Sequence, residues 1–122
     1  MKTVMIVDDS RIMRNIVKKT FKKLQIPANY LEAPDGEKAL EILKNNRVDL
    51  VLLDWNIPYL TGIDFLIQVR AMEKYSSIPI VMITSEASKF NIVEAVKAGV
   101  TGYIVKPFSE EDFINKISRI SF

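Results

Sequence analysis

Three aspartates, a threonine and a lysine stand where short apolar runs stop. Val4 to Val7 leads into Asp8-Asp9, Val51-Leu52-Leu53 into Asp54, Ile80 to Ile83 into Thr84-Ser85, and Tyr103 to Val105 into Lys106-Pro107. Carboxylates brought close together repel, and loss of water penalises their charged forms further. A divalent cation and an ammonium relieve both costs. A donor set of carboxylates without histidine favours Mg2+ or a similar hard ion over zinc. A carboxylate held against such a cation beside a lysine is a poor general base but a usable nucleophile toward phosphorus. Cation and lysine would neutralise the equatorial oxygens of a transferring phosphoryl group, with the Thr84 hydroxyl donating to one of them. The chemistry that follows is phosphoryl transfer onto an aspartate.

Composition removes the competing chemistries. The chain has no cysteine, so disulfides, thiolate zinc sites and cysteine nucleophiles are excluded. It has no histidine either, which removes imidazole bases, Ser-His triads and the commonest transition-metal ligand. A net charge of +2 is too small to imply nucleic-acid binding. The cluster Lys18, Lys19, Lys22, Lys23 reads as the solvated face of a helix. No apolar run approaches the roughly 18 residues that span a bilayer, and MKTVMIVDDS is not a signal peptide. With 122 residues, 48% of them hydrophobic, the expectation is one soluble domain over 1–122 with no output domain.

The elements that must position these residues follow from periodicity. Strands are expected at Val4–Val7, Tyr30–Ala33, Leu50–Leu53, Ile80–Ile83 and Tyr103–Val105. Between them run helical stripes: Ile12, Met13, Ile16, Val17, Phe21 and Leu24; then Ala39, Leu40, Ile42 and Leu43. The third stripe is Phe65, Leu66, Val69 and Met72, the fourth Ile92, Val93 and Val96, and the fifth Phe113, Ile114, Ile117 and Ile120. The third and fourth strands lack alternation, as strands covered on both faces do. The fold class is α/β: a doubly wound, five-stranded parallel sheet, flavodoxin-like (βα)5, in the order 2-1-3-4-5. Sites in such sheets lie outside the carboxyl ends of the strands. Each polar end has a plainer reading alone. Asp9 or Ser10 would cap the first helix, Thr84 or Ser85 the fourth, and Ser109 with Asp112 would open the fifth. The plain readings do not account for four strand ends out of five aiming polar groups at one place.

The same residues resemble a known family. Asp8-Asp9, Asp54, Thr84 and Lys106-Pro107, carried in VDDSRIMR, DWNIPYLTG, MITSEA and AGVTGYIVKPFS, are similar to the receiver domain of bacterial two-component response regulators. The likeness covers the whole chain, and the wording is nearest to single-domain chemotaxis receivers. The resemblance implies that Asp54 is the phosphoacceptor, taking its phosphoryl group from a phosphohistidine on a partner histidine kinase. Mg2+ would be held by Asp9, Asp54 and the backbone carbonyl of Asn56, with Asp8 acting through water. Thr84 and Lys106 would bind phosphoryl oxygens, while Asn56 and Glu86 would control the hydrolytic water. The Lys106–Pro107 bond is expected to be cis. Tyr103 would rotate as Thr84 moves, with Ser85 small enough to permit it, and the output face would involve Ile92, Tyr103 and Lys116.

Further expectations come with the family: a flagellar motor switch protein or another target protein as partner, a phosphatase, a cytoplasmic monomer, and no nucleic acid or membrane. The protein would catalyse its own phosphorylation and dephosphorylation without turning over a separate substrate. Ser10 departs from the aromatic that often follows the paired aspartates in chemotaxis receivers. Within the class, a phosphate sink or phosphorelay intermediate competes with a chemotaxis output protein. In another class, an aspartate-nucleophile phosphatase would want a second aspartate where Asn56 stands. A flavin binder would want a glycine-rich loop after the first strand.

Overall fold

The computed structural model describes residues 1–122. Strands β1 (Lys2–Val7), β2 (Ala28–Ala33), β3 (Leu50–Leu53), β4 (Ile80–Thr84) and β5 (Gly102–Val105) pair in parallel, in the order β2-β1-β3-β4-β5. Each is followed by a helix: α1 (Arg11–Lys22), α2 (Gly36–Asn45), α3 (Gly62–Ala71), α4 (Lys89–Lys97) and α5 (Glu110–Ile117). This is the flavodoxin-like order expected from the sequence. A 3-10 turn at Glu73–Tyr75, which the sequence reading did not contain, joins α3 to β4.

Alternation along the sheet divides the core in two. Met5, Val7, Val51, Leu53, Ile80 and Met82 face α2, α3 and α4 through Ala39, Leu43, Phe65, Leu66, Val69 and Ala95. Val4, Ile6, Leu50, Leu52, Val81, Ile83 and Ile104 face α1 and α5 through Val17, Phe21, Phe113 and Ile117. Every residue of β3 and β4 is buried, because both faces are covered.

Four stripes shift in detail. Leu24, Met72 and Ile120 lie just beyond their helices. Ile12 and Ile16 point outward from α1, and the buried row is Val17 and Phe21. In α4 the expected stripe is turned out: Val93 is 43% and Val96 62% exposed, while only Ala95 is buried. Spacing defines a stripe but not which of two adjacent rows meets the sheet, and a small alanine weighs little in such a pattern.

Helix starts are capped by side chains that accept a backbone N–H three residues on. Ser10 accepts from Met13, Asp35 from Lys38, Thr61 from Asp64, Ser88 from Asn91 and Ser109 from Asp112. Ser88 therefore caps α4, correcting the assignment to Thr84 or Ser85. Thr84 is the last residue of β4, and Ser85 begins the connection to α4.

Candidate functional site

The parallel register carries the ladder one residue past the strands. Val7 lies opposite Leu53, Leu53 opposite Met82, and Thr84 opposite Val105. The Asp8 amide donates to the Ala33 carbonyl at 3.1 Å, the Asp54 amide to Val7 at 2.9 Å, and the Lys106 amide to Thr84 at 2.9 Å. Asp8, Asp54, Thr84 and Lys106 are thus fixed as backbone before any side chain is considered. Asp8 and Asp54 are buried, Thr84 fully so, and Asp9 is exposed at the rim.

Lys106 binds the mouth together. Its Nζ lies 2.8 Å from Asp8 Oδ2 and 3.1 Å from Asp54 Oδ2. Burial alone would lower the Lys106 pKa; the hydrogen bond to Asp8 and the charge of Asp54, with smaller contributions from both residues, outweigh it and raise the pKa. Asp8 is oriented from two further sides: the Ser10 amide donates to Oδ1 at 2.9 Å, and Arg14 Nη1 donates to its carbonyl at 2.6 Å. Arg14 is in turn held by Glu32 at 3.0 Å, and Lys18 meets the same carboxylate at 2.8 Å. The hydrogen bond from Lys18 is the main force lowering the Glu32 pKa, against the effect of burial. Lys18 is therefore tied to β2 and is not part of a free solvated face.

Across the mouth, the Asn56 amide donates to Asp54 Oδ1 at 3.3 Å and the Glu86 amide to Thr84 Oγ1 at 3.3 Å. The side chains of Asn56 and Glu86 meet: Asn56 Nδ2 donates to Glu86 Oε1 at 3.0 Å, and Asn91 Nδ2 to Oε2 at 3.0 Å. The Tyr103 hydroxyl donates to the Glu86 carbonyl. Its pKa is raised, first by burial and then by the charges of Glu86 and Asp54. Ser85 is exposed, Ile92 is half-buried on α4, and Lys116 is exposed on α5 without an ion pair. The Lys106–Pro107 peptide is cis.

One carboxylate oxygen from each of Asp8, Asp9 and Asp54 falls within a 4.8 Å cluster. The Asn56 carbonyl accepts no hydrogen bond. An all-oxygen set of this kind suits a hard divalent cation such as Mg2+. The hollow beside Asp8 and Asp54 is only about 10 Å³. The largest hollow, about 650 Å³, lies at the opposite end of the sheet beside Arg47, Asp49 and Tyr75.

The sequence reading missed Arg14, Glu32 and Asn91. Arg14 and Lys18 are spaced to share a helix face, but their convergence on Glu32 depends on how α1 sits over β2. Asn91 bore no signal beyond its place three residues after Ser88.

Comparison with known proteins gives a consistent answer. The family model described as "Response regulator receiver domain" matches residues 4–118. The chemotaxis protein CheY of Pseudomonas aeruginosa is 44% identical over 117 residues, 96% of this chain and 94% of that protein. CheY-3 of Vibrio cholerae is 45% identical over the same length, 89% of that protein. Among solved structures, Vibrio cholerae CheY4 superposes with a TM-score of 0.86 at 34% identity, covering 99% of both chains.

Proposed function

The chain belongs to the response regulator receiver domain family, and from that premise we propose that Asp54 receives a phosphoryl group from a phosphohistidine of a partner kinase. The observation that carries this reading is the Lys106 ammonium set between the Asp8 and Asp54 carboxylates at the mouth of the sheet. In the transfer, an Asp54 carboxylate oxygen bonds to phosphorus. The phosphorus–nitrogen bond breaks, and its electron pair returns to the donor imidazole. The donor lies on another protein, since this chain has no histidine. Lys106 turns toward the phosphoryl oxygens and Thr84 donates its hydroxyl to one of them. Asp9, Asp54 and the Asn56 carbonyl would hold Mg2+, with Asp8 acting through water, and the ion would supply neutralisation of the charge on the transferring group.

The protein acts as a switch and turns over no separate substrate. Thr84, drawn to the phosphoryl group, gives up its bond from the Glu86 amide, and Tyr103 moves into the space that opens. Phosphorylation shifts the two states only by its differential contacts with them. The output face is α4, β5 and α5, including Ile92, Tyr103 and Lys116. Support for a chemotaxis role, with a flagellar motor switch protein as target, comes from relatives named chemotaxis protein CheY in two organisms. A phosphate sink or relay intermediate is the second reading; unaltered swimming reversals after gene deletion would favour it.

Acetyl phosphate with Mg2+ should raise the intact mass by one phosphoryl group, and Asp54→Asn should abolish the gain. An unmodified protein that gains no mass would defeat the reading.

A further inference from the structure

The Glu86 carboxylate has two oxygens, and each is taken by an amide from a different element. Asn56 Nδ2, in the loop after β3, donates to Oε1, and Asn91 Nδ2, in the first turn of α4, donates to Oε2, both at 3.0 Å. A carboxylate with one partner still swings about its last torsion; one held from two sides by charge-assisted bonds does not. Before phosphorylation the backbone of Glu86 is also held, its amide donating to Thr84 Oγ1 and its carbonyl accepting from Tyr103; once Thr84 turns to the phosphoryl group, the two side-chain amides are what still hold the carboxylate. Asn91 is itself anchored, because its backbone amide donates to the Ser88 cap at 3.1 Å. Asn56 also donates its backbone amide to Asp54 Oδ1, so the chain of bonds runs from α4 across the mouth to the acceptor.

We propose that Asn91 is a positioning residue which, by holding Glu86 against Asn56, keeps water away from phosphorylated Asp54 and sets the lifetime of the phosphoryl group. The proposal rests on Asp54 being the acceptor. In hydrolysis a water oxygen bonds to phosphorus and the bond to the Asp54 oxygen breaks, its electron pair returning to the carboxylate. Inorganic phosphate leaves, and the water proton passes to it or to solvent. That water must approach in line with the Asp54 oxygen, from the side where Asn56 and Glu86 stand. Without Asn91, Glu86 pivots outward, Asn56 loses its partner, and the approach opens. Because Asn91 belongs to α4, a displacement of that helix reaches the hydrolysis rate through this one side chain.

The alternative is that Asn91 merely supports the start of α4. Asn91→Asp separates the two: it keeps size, removes the donor and repels Glu86, yet places a negative charge in the first helical turn, where it stabilises the helix. Decay of the phosphorylated protein is measured after removal of acetyl phosphate, alongside thermal unfolding. Asn91→Asp should shorten the lifetime about tenfold, the lower end of the scale of a lost hydrogen bond to a charged group, without lowering the unfolding temperature. Asn91→Ala should do the same, and should add nothing in a Glu86→Ala background. An unchanged lifetime in both variants, or a full effect of Asn91→Ala without Glu86, overturns the proposal. The clamp is also read without phosphorylation, by NMR of the Asn56 side-chain amide. Its hydrogen exchange should quicken in Asn91→Asp; unchanged exchange overturns the proposal whatever the outcome at Asp54. Failure of the unmodified protein to take a phosphoryl group would instead strike at Asp54 as acceptor.

Discussion

Lys106 keeps its charge in surroundings that oppose charge, because two carboxylates meet it within 3.1 Å. Removing Lys106 would leave the two buried carboxylates of Asp8 and Asp54 uncompensated, so these three residues act as a unit. Glu32 shows the same logic one step outward. Its carboxylate gathers Lys18 and Arg14, and its pKa falls below the ordinary glutamate value. The folded state therefore binds this proton less readily than the unfolded chain does. The stability Glu32 contributes is fully present above the unfolded pKa and is lost as the pH falls through the lowered folded value. Glu32→Gln should lower stability at pH 7 by about 1 kcal/mol, the upper range for exposed pairs. The gap between variant and unmodified protein should close as the pH drops below about 4.3. A gap that persists in acid would assign the effect to packing.

At the scale of elements, the placement of Asp54 depends on how closely α3 returns to β3. A Cβ on Gly62, the first residue of α3, would lie 2.2 Å from the Asp54 carbonyl oxygen and 2.7 Å from Trp55 Cα. Those obstacles are backbone and cannot swing aside. The Gly62 amide also donates to the Trp55 carbonyl at 2.9 Å, which closes the turn. Gly62→Ala should cost about 2–3 kcal/mol through overpacking, seen as a lower urea midpoint at unchanged slope. An unshifted midpoint would mean the turn yields more easily than this packing implies. Ser10 has an equally local explanation. Its hydroxyl accepts the Met13 amide at 3.2 Å and its own amide donates to Asp8, so Ser10 both caps α1 and orients the first carboxylate.

For the whole molecule, folding gathers three carboxylates of Asp8, Asp9 and Asp54 against the single ammonium of Lys106. The two hydrophobic layers drive this assembly, and the site works against them. Net stabilities are only about 5–15 kcal/mol, so such repulsion is felt globally. Asp9, exposed at the rim and outside the Lys106 pairs, is the carboxylate to remove. In chelator, Asp9→Asn should raise the unfolding temperature by a few degrees. In the unmodified protein Mg2+ at about a hundred times its Kd should add about 2.7 kcal/mol. Asp9→Asn should lose most of that increment, measured by thermal unfolding and by Trp55 fluorescence. An equal Mg2+ increment in both proteins would remove Asp9 from the metal site.

Much of this protein was determined locally and is therefore legible in the sequence. Uninterrupted apolar runs at Leu50–Leu53 and Ile80–Ile83 require a sheet covered on both faces. A polar residue after such a run must emerge at the strand's carboxyl end, which placed Asp8, Asp54, Thr84 and Lys106 at one mouth. The absence of histidine confined the chemistry to oxygen donors and lysine. Tertiary structure alone decided the contacts between side chains from different elements. Spacing could not tell that α4 turns Ala95 inward and Val96 outward, because two neighbouring rows satisfy the same period. Nor could it tell that Arg14 and Lys18 close on Glu32, or that Asn56 and Asn91 grip one carboxylate from opposite sides. Periodicity fixes where each side chain leaves its own backbone; which partner it meets depends on the rotation and register of an element distant in sequence.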